Sequence, residues 1–253
     1  MHLQNPTEGT VMDQTKKRKF GLTNNQLKII AMVSMVLDHV GLLFFSDMII
    51  FRVLGRIAFP IFAYMIAEGC RYTKNRAKYL GIIAGMGTVF QIVYFVAMQS
   101  LYQGILITFS LSIIVIYSID GIVKSKKVWG RLAAIGALLC VAAFVFVLPR
   151  VLTETDFDID YGIWGILLPV LVYLMPSRPW KVGAASLYLL IRAIYYTVVV
   201  PYPVQWWSLL SLPLLALYNG ERGKAKMKYL FYIFYPAHLV ILYGLAILIE
   251  LLK

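Results

Sequence analysis

The sequence predicts an all-α integral membrane protein, a bundle of about nine transmembrane helices with its N-terminus in the cytosol. Of the 253 residues, 60% are hydrophobic and only 14% are charged, and the mean hydropathy is +0.76. A water-soluble domain of this size could not cover so much apolar surface, whereas a lipid bilayer removes the need to cover it. The charged residues are also collected in short clusters between long apolar runs, which is typical of a chain that crosses a membrane repeatedly.

The apolar runs define nine segments and leave only short loops between them. Residues 20–253 are therefore predicted to form a single membrane domain, preceded by a basic tail, residues 1–19, that the sequence predicts to be disordered. Gly81 and Gly85 lie four residues apart in the third segment, a spacing that predicts close helix packing. The segments are roughly 24–46, 53–70, 79–99, 104–123, 130–149, 160–176, 180–200, 204–218 and 229–252.

Processing signals and cysteines add little to this picture. No small-residue cleavage site follows a short apolar stretch at the start, so a signal peptide is not expected. Cys70 and Cys140 are predicted at different depths of the membrane, and a disulfide between them is not expected. No Cys or His spacing indicates a metal site.

The distribution of lysine and arginine sets the orientation. Nineteen of these residues fall on one side of the predicted membrane, four fall on the other, and Arg192 lies within a segment. The positive-inside rule places the richer side, with the N-terminus, in the cytosol and the acidic loop 154–160 outside. Topology thus explains the net charge of +12, and a nucleic-acid partner is not expected.

Asp38 and His39 are ionisable residues deep in the first segment. Such residues are costly in a bilayer and point to function, and histidine can accept and return a proton near neutral pH. Lys28 precedes His39 by eleven residues, so the two face the same way, roughly 16 Å apart along a helix. Asp38 points about 100° away from His39 and is expected to pair with an arginine on a neighbouring helix.

Arg52 and Arg56 in the second segment are the candidates for that pairing. They are four residues apart, hence on one helix face, at a depth similar to that of Asp38. An Asp38–Arg56 ion pair is therefore expected, and Pro60 is expected to kink or open the helix below it. A structural ion pair between helices, or an Arg52 side chain that extends to the interface, would explain the same residues without catalysis.

Two later segments contribute further polar groups. Arg192 lies between Tyr188 and Tyr196, one turn away on each side, and His238 follows Tyr235 near mid-membrane. These residues could converge with His39 on one polar cavity. Alternatively, Arg192 could belong to a structural ion pair and His238 could be a hydrogen-bonded packing residue.

Three blocks of sequence, in this order and spacing, resemble the TraX family. They are LKIIAMVSMVLDHVG at 27–41, FRVLGRIAFPIFAYMIAEG at 51–69 and FYIFYPAHL at 231–239. The name-giver of that family is a membrane enzyme that acetylates the N-terminus of conjugative pilin. The family in turn resembles the broad acyltransferase-3 group, which modifies sugars and other acceptors.

The resemblance to the acyltransferase-3 group implies roles for individual residues of this chain. Its basic residue and histidine, with ten residues between them, match Lys28 and His39. Its Arg-x-x-Arg motif corresponds to Arg52 and Arg56, which here are separated by one residue more. Its Tyr-Pro-x-His block matches Tyr235, Pro236 and His238.

The resemblance implies a membrane-bound acetyltransferase in the cell membrane. An acetyl or other acyl group would pass from cytosolic acetyl-CoA, without a metal, to an amine or hydroxyl of a pilin-like peptide, a glycan or a lipid. His39 would be the general base or become acylated. The other roles are catalytic for Asp38, Arg56 and His238, acyl-CoA binding for Lys28, Arg52, Arg71 and Lys74, and substrate orientation for Tyr235 and Arg192.

Two other classes of function stay open on sequence alone. A proton-coupled transporter would use Asp38, His39, Arg192 and His238 as a relay. A membrane scaffold or assembly factor for a pilus or secretion system would need none of these side chains for chemistry. An effect of acyl-CoA on stability or labelling would distinguish the enzyme from the transporter.

Overall fold

The computed structural model of the chain describes residues 20–224 and 227–252, and the predicted disordered tail lies outside these residues. Within these ranges the chain is helical, and its two β-bridges are isolated ones. The α-helices are α1 (Asn24–Phe44), α2 (Ile49–Gly55), α3 (Ala58–Tyr72), α4 (Arg76–Met98), α5 (Ile105–Lys124), α6 (Val128–Ala142), α7 (Leu148–Val151), α8 (Gly162–Leu174), α9 (Arg178–Val198), α10 (Ser211–Ala216) and α11 (Lys228–Leu251). A π-helical turn, Ala143–Val147, joins α6 to α7, and a 3-10 helix, Pro203–Leu210, precedes α10.

The described residues include six helical stretches long and apolar enough to cross a membrane, so the helices have the length and composition of a membrane protein. They are α1, α2 with α3, α4, α5, α6 with α7, and the Ile233–Leu251 part of α11. Of the other predicted segments, α8 is apolar but has 13 residues, and α9 has 21 residues with Lys181 and Arg192 among them. The predicted segment 204–218 consists of the 3-10 helix and the short α10. The number nine and the cytosolic N-terminus stay predictions.

The centre of the bundle is α3, most of which is buried. It lies against α1, α5 and α8, and its side chains Ile61 and Tyr64 join Ile113, Val172 and Leu189 in the main hydrophobic core. By contrast, α4, α6 and α11 present long rows of exposed apolar side chains. This division between a buried centre and an apolar outer surface suits a bundle surrounded by lipid.

The second predicted segment is broken where the sequence indicated. The chain leaves the helix at Arg56 and Ile57, between α2 and α3, and Pro60 lies in the first turn of α3. A proline is tolerated there because the first backbone N–H groups of a helix have no partner within the helix. The break leaves Arg56 at a helix end, where its side chain can reach α1.

The prediction for Gly81 and Gly85 is wrong. A Cβ atom added at either position would meet no atom within 4 Å among the described residues. The close helix contact of α4 is made instead at Gly87, where an added Cβ would lie 3.2 Å from the Cβ of Leu106 on α5. The four-residue spacing alone did not identify which face of α4 is packed.

Two short backbone connections close the ends of the bundle. At the amino-terminal end of α1, Leu22 N–H donates to Leu217 (2.8 Å) and Asn219 N–H donates to Leu22 (2.8 Å). At the opposite end, Gln103 N–H donates to the Asp158 carbonyl (2.8 Å) and Asp160 N–H donates back to Gln103 (2.9 Å). The second connection fixes the loop that enters α8 across the end of the bundle.

The two cysteines are both free. Cys70 is buried in α3 and Cys140 is exposed on α6.

Candidate functional site

The polar residues of the membrane segments surround one cavity of about 450 Å³, which we call the histidine cavity. It lies beside the carboxyl-terminal half of α1, at the break between α2 and α3, and is also lined by α9, α11 and the loops before α5 and α8. His39, Arg52, Arg56, Arg192 and Tyr235, which lie on separate segments of the sequence, all line it, whereas His238 is not among its lining residues.

The hydrogen bond of His39 determines which of its ring nitrogens can act as a base. Its Nδ1 lies 2.8 Å from the carbonyl oxygen of Met35, one turn earlier in α1. A carbonyl oxygen only accepts hydrogen bonds, so in the neutral ring Nδ1 carries the proton and Nε2 has the lone pair. The ring is thus held in the tautomer that a general base requires.

His238 lies directly against His39 and is arranged in the same way. The two ring centroids are 5.1 Å apart, with the rings nearly perpendicular at 78°. The Nδ1 of His238 donates to the Phe234 carbonyl over 2.9 Å, and its buried Nε2 has no hydrogen-bond partner in the described part of the chain. Phe234 also stacks on the ring, at 5.0 Å and 8°, and holds it in place.

Asp38 forms the predicted ion pair with Arg56. The Arg56 Nη2 lies 2.7 Å from Oδ1 and 3.0 Å from Oδ2 of Asp38, and Arg52 Nη1 lies 3.0 Å from Oδ1. Gly55 permits this approach, because a Cβ at that position would overlap the Asp38 side chain. The carboxylate thus fixes two guanidinium groups at the wall of the histidine cavity.

Arg192 reaches the same cavity from α9. Its side chain is enclosed by aromatic rings, with the guanidinium carbon 4.9 Å from the ring centroid of Tyr196, 5.1 Å from that of Tyr161 and 5.5 Å from that of Phe59. Its Nη1 donates to Oε1 of Gln205 over 2.8 Å. The tyrosine at i+4 is therefore its neighbour, as the sequence spacing indicated.

Asp160 is a cavity residue that sequence reasoning missed. It lies in the loop before α8, where the Tyr102 hydroxyl donates to its Oδ1 over 3.2 Å. Burial raises the pKa of Asp160 to about 6, while the Tyr102 hydrogen bond and the positive charges of Arg56 and Arg192 act in the opposite direction. The sequence shows four acidic residues close together at 154–160, and nothing in that pattern indicates which of them turns inward.

A second pocket, of about 510 Å³, lies at the amino-terminal end of α1. We call it the cationic pocket, after Lys28, Lys74, Lys78 and Arg222, which line it. The family resemblance implies acyl-CoA binding for Lys28 and Lys74, whereas Lys78 and Arg222 belong to basic clusters that topology explains. Several cations around one open pocket are suited to phosphate groups.

Arg71 is placed elsewhere. Its Nη2 donates to the carbonyl oxygens of Tyr173 and Met175, the latter at 2.8 Å, and its guanidinium stacks on the Tyr173 ring. It thus satisfies carbonyl groups at the carboxyl-terminal end of α8 and does not line the cationic pocket.

A narrow apolar space of about 80 Å³, the connecting cavity, lies between the two larger ones. It shares Lys28, Met65 and Tyr79 with the cationic pocket. With the histidine cavity it shares Met35, Phe62, Ile105, Phe109 and Tyr235. Lys28, Met35 and His39 therefore mark one stripe along α1 that passes all three cavities in turn.

Comparisons with known proteins identify a matching family and two similar proteins. The family model described as "TraX: TraX protein" matches residues 23–246. The chain is 28% identical over 239 residues to "Probable fimbrial assembly protein FimC, serogroup H1" of Dichelobacter nodosus, covering 86% of this chain and 93% of that protein. It is 43% identical over 44 residues to "Uncharacterized protein RP591" of Rickettsia prowazekii (strain Madrid E), covering 17% and 18%. No solved structure matches the chain.

Proposed function

Because this chain belongs to the TraX family, we propose that it is a membrane acyltransferase of the cell membrane. It would move an acetyl or other acyl group from cytosolic acyl-CoA to an amine or hydroxyl group. The observation that carries the proposal is His39. Its Nδ1 is bound to the Met35 carbonyl, so its Nε2 is left as a base in a cavity that also contains three arginines.

The donor would enter at the cationic pocket. Lys28, Lys74, Lys78 and Arg222 line that pocket, and charge-assisted hydrogen bonds from such groups suit the phosphates of CoA. The apolar connecting cavity then leads along α1 toward His39. The pantetheine arm would extend through it and bring the thioester carbonyl into the histidine cavity.

The acceptor would react in the histidine cavity. Nε2 of His39 accepts the proton of the acceptor amine or hydroxyl while that group attacks the thioester carbonyl. Arg52 and Arg56, which Asp38 holds in place, donate hydrogen bonds to the oxyanion of the tetrahedral intermediate. The intermediate then releases the CoA thiolate, which takes the proton from His39, so that the products are the acylated acceptor and CoA.

His238 supports the base, and a variant of the mechanism uses His39 as a nucleophile. The ring of His238 lies 5.1 Å from that of His39, close enough to orient it or to pass a proton through water. In the variant, His39 Nε2 attacks the thioester carbonyl and expels the CoA thiolate, and the acceptor then attacks the acyl-imidazole, which frees His39 while the acceptor's proton passes to the thiolate. Acyl label retained on the protein would distinguish this variant from direct transfer.

The relative from Dichelobacter nodosus bears on the acceptor. Its name describes a probable fimbrial assembly protein, and the match covers 93% of that protein. A pilin-like peptide is therefore our first choice of acceptor for this chain. A glycan or a lipid that reaches the histidine cavity would be chemically equivalent, because each can present an amine or hydroxyl.

A proton-coupled transporter is the second candidate. The three adjoining cavities extend along α1 from Lys28 to His39, and a solute pathway would show the same feature. In that case His39 and His238 would carry protons, and acyl-CoA would have no effect on the protein.

The test is incubation of the purified protein with acetyl-CoA carrying a labelled acetyl group, in which free CoA and protein-bound label are measured. We expect slow release of CoA that falls at least a hundredfold in His39→Gln, since a general base contributes about 10²- to 10⁴-fold. Val33→Ala, at an exposed position of the same helix, is the matched control and should behave as the unchanged protein. If neither acetyl-CoA nor a longer acyl-CoA is bound or turned over, the transporter becomes the better interpretation.

A further inference from the structure

Arg192 is the most deeply buried cation of the histidine cavity, and no carboxylate of the described residues forms an ion pair with it. Its side chain is only 2% exposed, and its Nε has no hydrogen-bond partner in the described ranges. None of the ion pairs formed within those ranges includes Arg192. A buried charge without a counter-charge is costly, so its presence points to an anion that binds there.

The remaining carboxylates of the cavity do not meet this need. Asp38 is engaged by Arg52 and Arg56, and Asp160 is bound by the Tyr102 hydroxyl and makes no ion pair in the described part of the chain. Three guanidinium groups thus face two carboxylates, which leaves an excess of positive charge even when both acids are ionised. The aromatic rings around Arg192 stabilise a cation, but they supply no negative charge.

Resting on the proposed function, we propose that the acceptor carries an anionic group, a carboxylate or a phosphate, next to the amine or hydroxyl that is acylated, and that Arg192 binds that group. A guanidinium binds either anion through two parallel hydrogen bonds. Arg192 and His39 line the same cavity, so an acceptor held by its anion at Arg192 presents its nucleophile to His39. Arg52 and Arg56 stabilise the transient oxyanion, and Arg192 is left for the permanent charge.

The first experiment compares acceptors that differ only in charge. The purified protein is given acetyl-CoA with phosphoethanolamine or ethanolamine, and with alanine or alaninamide, and the acetylated products are quantified. We expect a kcat/KM ten to a hundred times higher for the anionic member of at least one pair, and the pair with the larger ratio identifies phosphate or carboxylate as the preferred anion. In Arg192→Gln that preference should disappear through a higher KM, whereas Arg192→Lys, which keeps the charge but not the planar geometry, should retain part of it.

Equal rates for charged and neutral acceptors in the unchanged protein, together with acetyl-CoA turnover that depends on His39, would overturn the anion site and leave the proposed acyl transfer intact. These ratios of charged to neutral acceptor are measured on the unchanged protein, so they test the anion site even if Arg192→Gln does not fold. If acetyl-CoA is not turned over at all, ligand binding decides instead. Inorganic phosphate or acetate should then raise the melting temperature of the unchanged protein more than that of Arg192→Lys, and no such difference with either anion would refute the site.

Discussion

Gly55 shows how a single residue permits the central ion pair of the cavity. A Cβ at this position would overlap the Cβ and Oδ1 atoms of Asp38, which binds Arg56 at 2.7 Å. Gly55→Ala should therefore displace the carboxylate and destabilise the protein by about 1–3 kcal/mol, the usual cost of an overpacked site.

The matched control for Gly55→Ala is Gly85→Ala in α4. An added Cβ there meets no atom within 4 Å of the described structure, and alanine favours a helix over glycine by about 0.5–1 kcal/mol. Thermal unfolding in the same micelle should give a lower melting temperature for Gly55→Ala and an equal or higher one for Gly85→Ala. Equal losses in both variants would contradict the steric explanation.

Asp160 predicts a specific dependence of stability on pH. Its pKa is raised from 3.8 to about 6 in the folded protein, so between these values the folded state holds more protons than the unfolded state. Stability attributable to Asp160 is then fully present below about pH 3.8 and is lost as the pH rises through about 6.

Asp160→Asn removes this titration and keeps an oxygen that can accept from the Tyr102 hydroxyl. The melting temperature of Asp160→Asn relative to that of the unchanged protein should rise by a few degrees between pH 4 and pH 7, and should be constant above that. Thermal unfolding followed by tryptophan fluorescence across this pH range would measure it. A difference that does not vary with pH would show that Asp160 does not titrate in this interval.

The sequence was informative about the cavity residues because ionisable groups in apolar segments are few. Asp38, His39, Arg56 and Arg192 stood out for that reason alone, and helical spacing indicated the Asp38–Arg56 pair. Asp160 and Lys78 could not be identified in this way, since each lies in a cluster of like charges near a helix end. Which member of such a cluster turns inward depends on loop geometry, and a periodic pattern contains no information about it.

At the scale of helices, the buried pair of Glu68 and Lys181 joins α3 to α9. The two side chains are 5% and 6% exposed, and Lys181 Nζ donates to Glu68 Oε1. Glu68→Gln leaves a buried ammonium without a counter-charge and should cost about 3–5 kcal/mol, because removing one partner of a buried pair is more harmful than removing both.

The double variant Glu68→Leu with Lys181→Met tests this interpretation. Because it removes both charges and keeps similar volumes, its stability should be close to that of the unchanged protein or higher. Chemical denaturation of Glu68→Leu, Lys181→Met and the double variant, each compared with the unchanged protein, gives the coupling energy of the pair. If the double variant loses as much as Glu68→Gln, the pair stabilises the contact between α3 and α9 by its own attraction.

The helices themselves were predictable to different degrees. Long apolar runs gave the positions of α1, α4, α5 and α11 to within a few residues, because hydrophobicity over twenty residues is a strong signal. The predicted segment 204–218 forms a 3-10 helix followed by the short α10. Pro203 begins the 3-10 helix and Pro213 lies in α10, and each lacks the backbone donor that a continuous α-helix needs. An average over an apolar window does not register such a local effect.

At the scale of the whole molecule, α1 runs from the cationic pocket to the histidine cavity. Lys28 lines the cationic pocket, His39 lines the histidine cavity, and Met35 lies between them on α1 and lines both the connecting cavity and the histidine cavity. If the protein is an acyltransferase, the pantetheine arm must pass Met35 to bring the thioester to His39. The size of the Met35 side chain should then control acyl transfer without altering the cationic pocket or His39.

Met35→Trp tests that arrangement, because the larger ring would fill a space of only about 80 Å³. We expect acetyl-CoA turnover to fall at least tenfold, while equilibrium binding of ADP, which engages only the cationic pocket, stays the same. Met35→Leu conserves volume and should retain turnover, and unchanged helix content by circular dichroism would show that Met35→Trp is folded.

Full turnover in a folded Met35→Trp protein would mean that the thioester reaches His39 by another path, such as from the side of the bundle through the lipid. If both ADP binding and turnover are lost, the substitution disturbs α1 as a whole, since Met35 is buried against Tyr235 and Leu239 of α11.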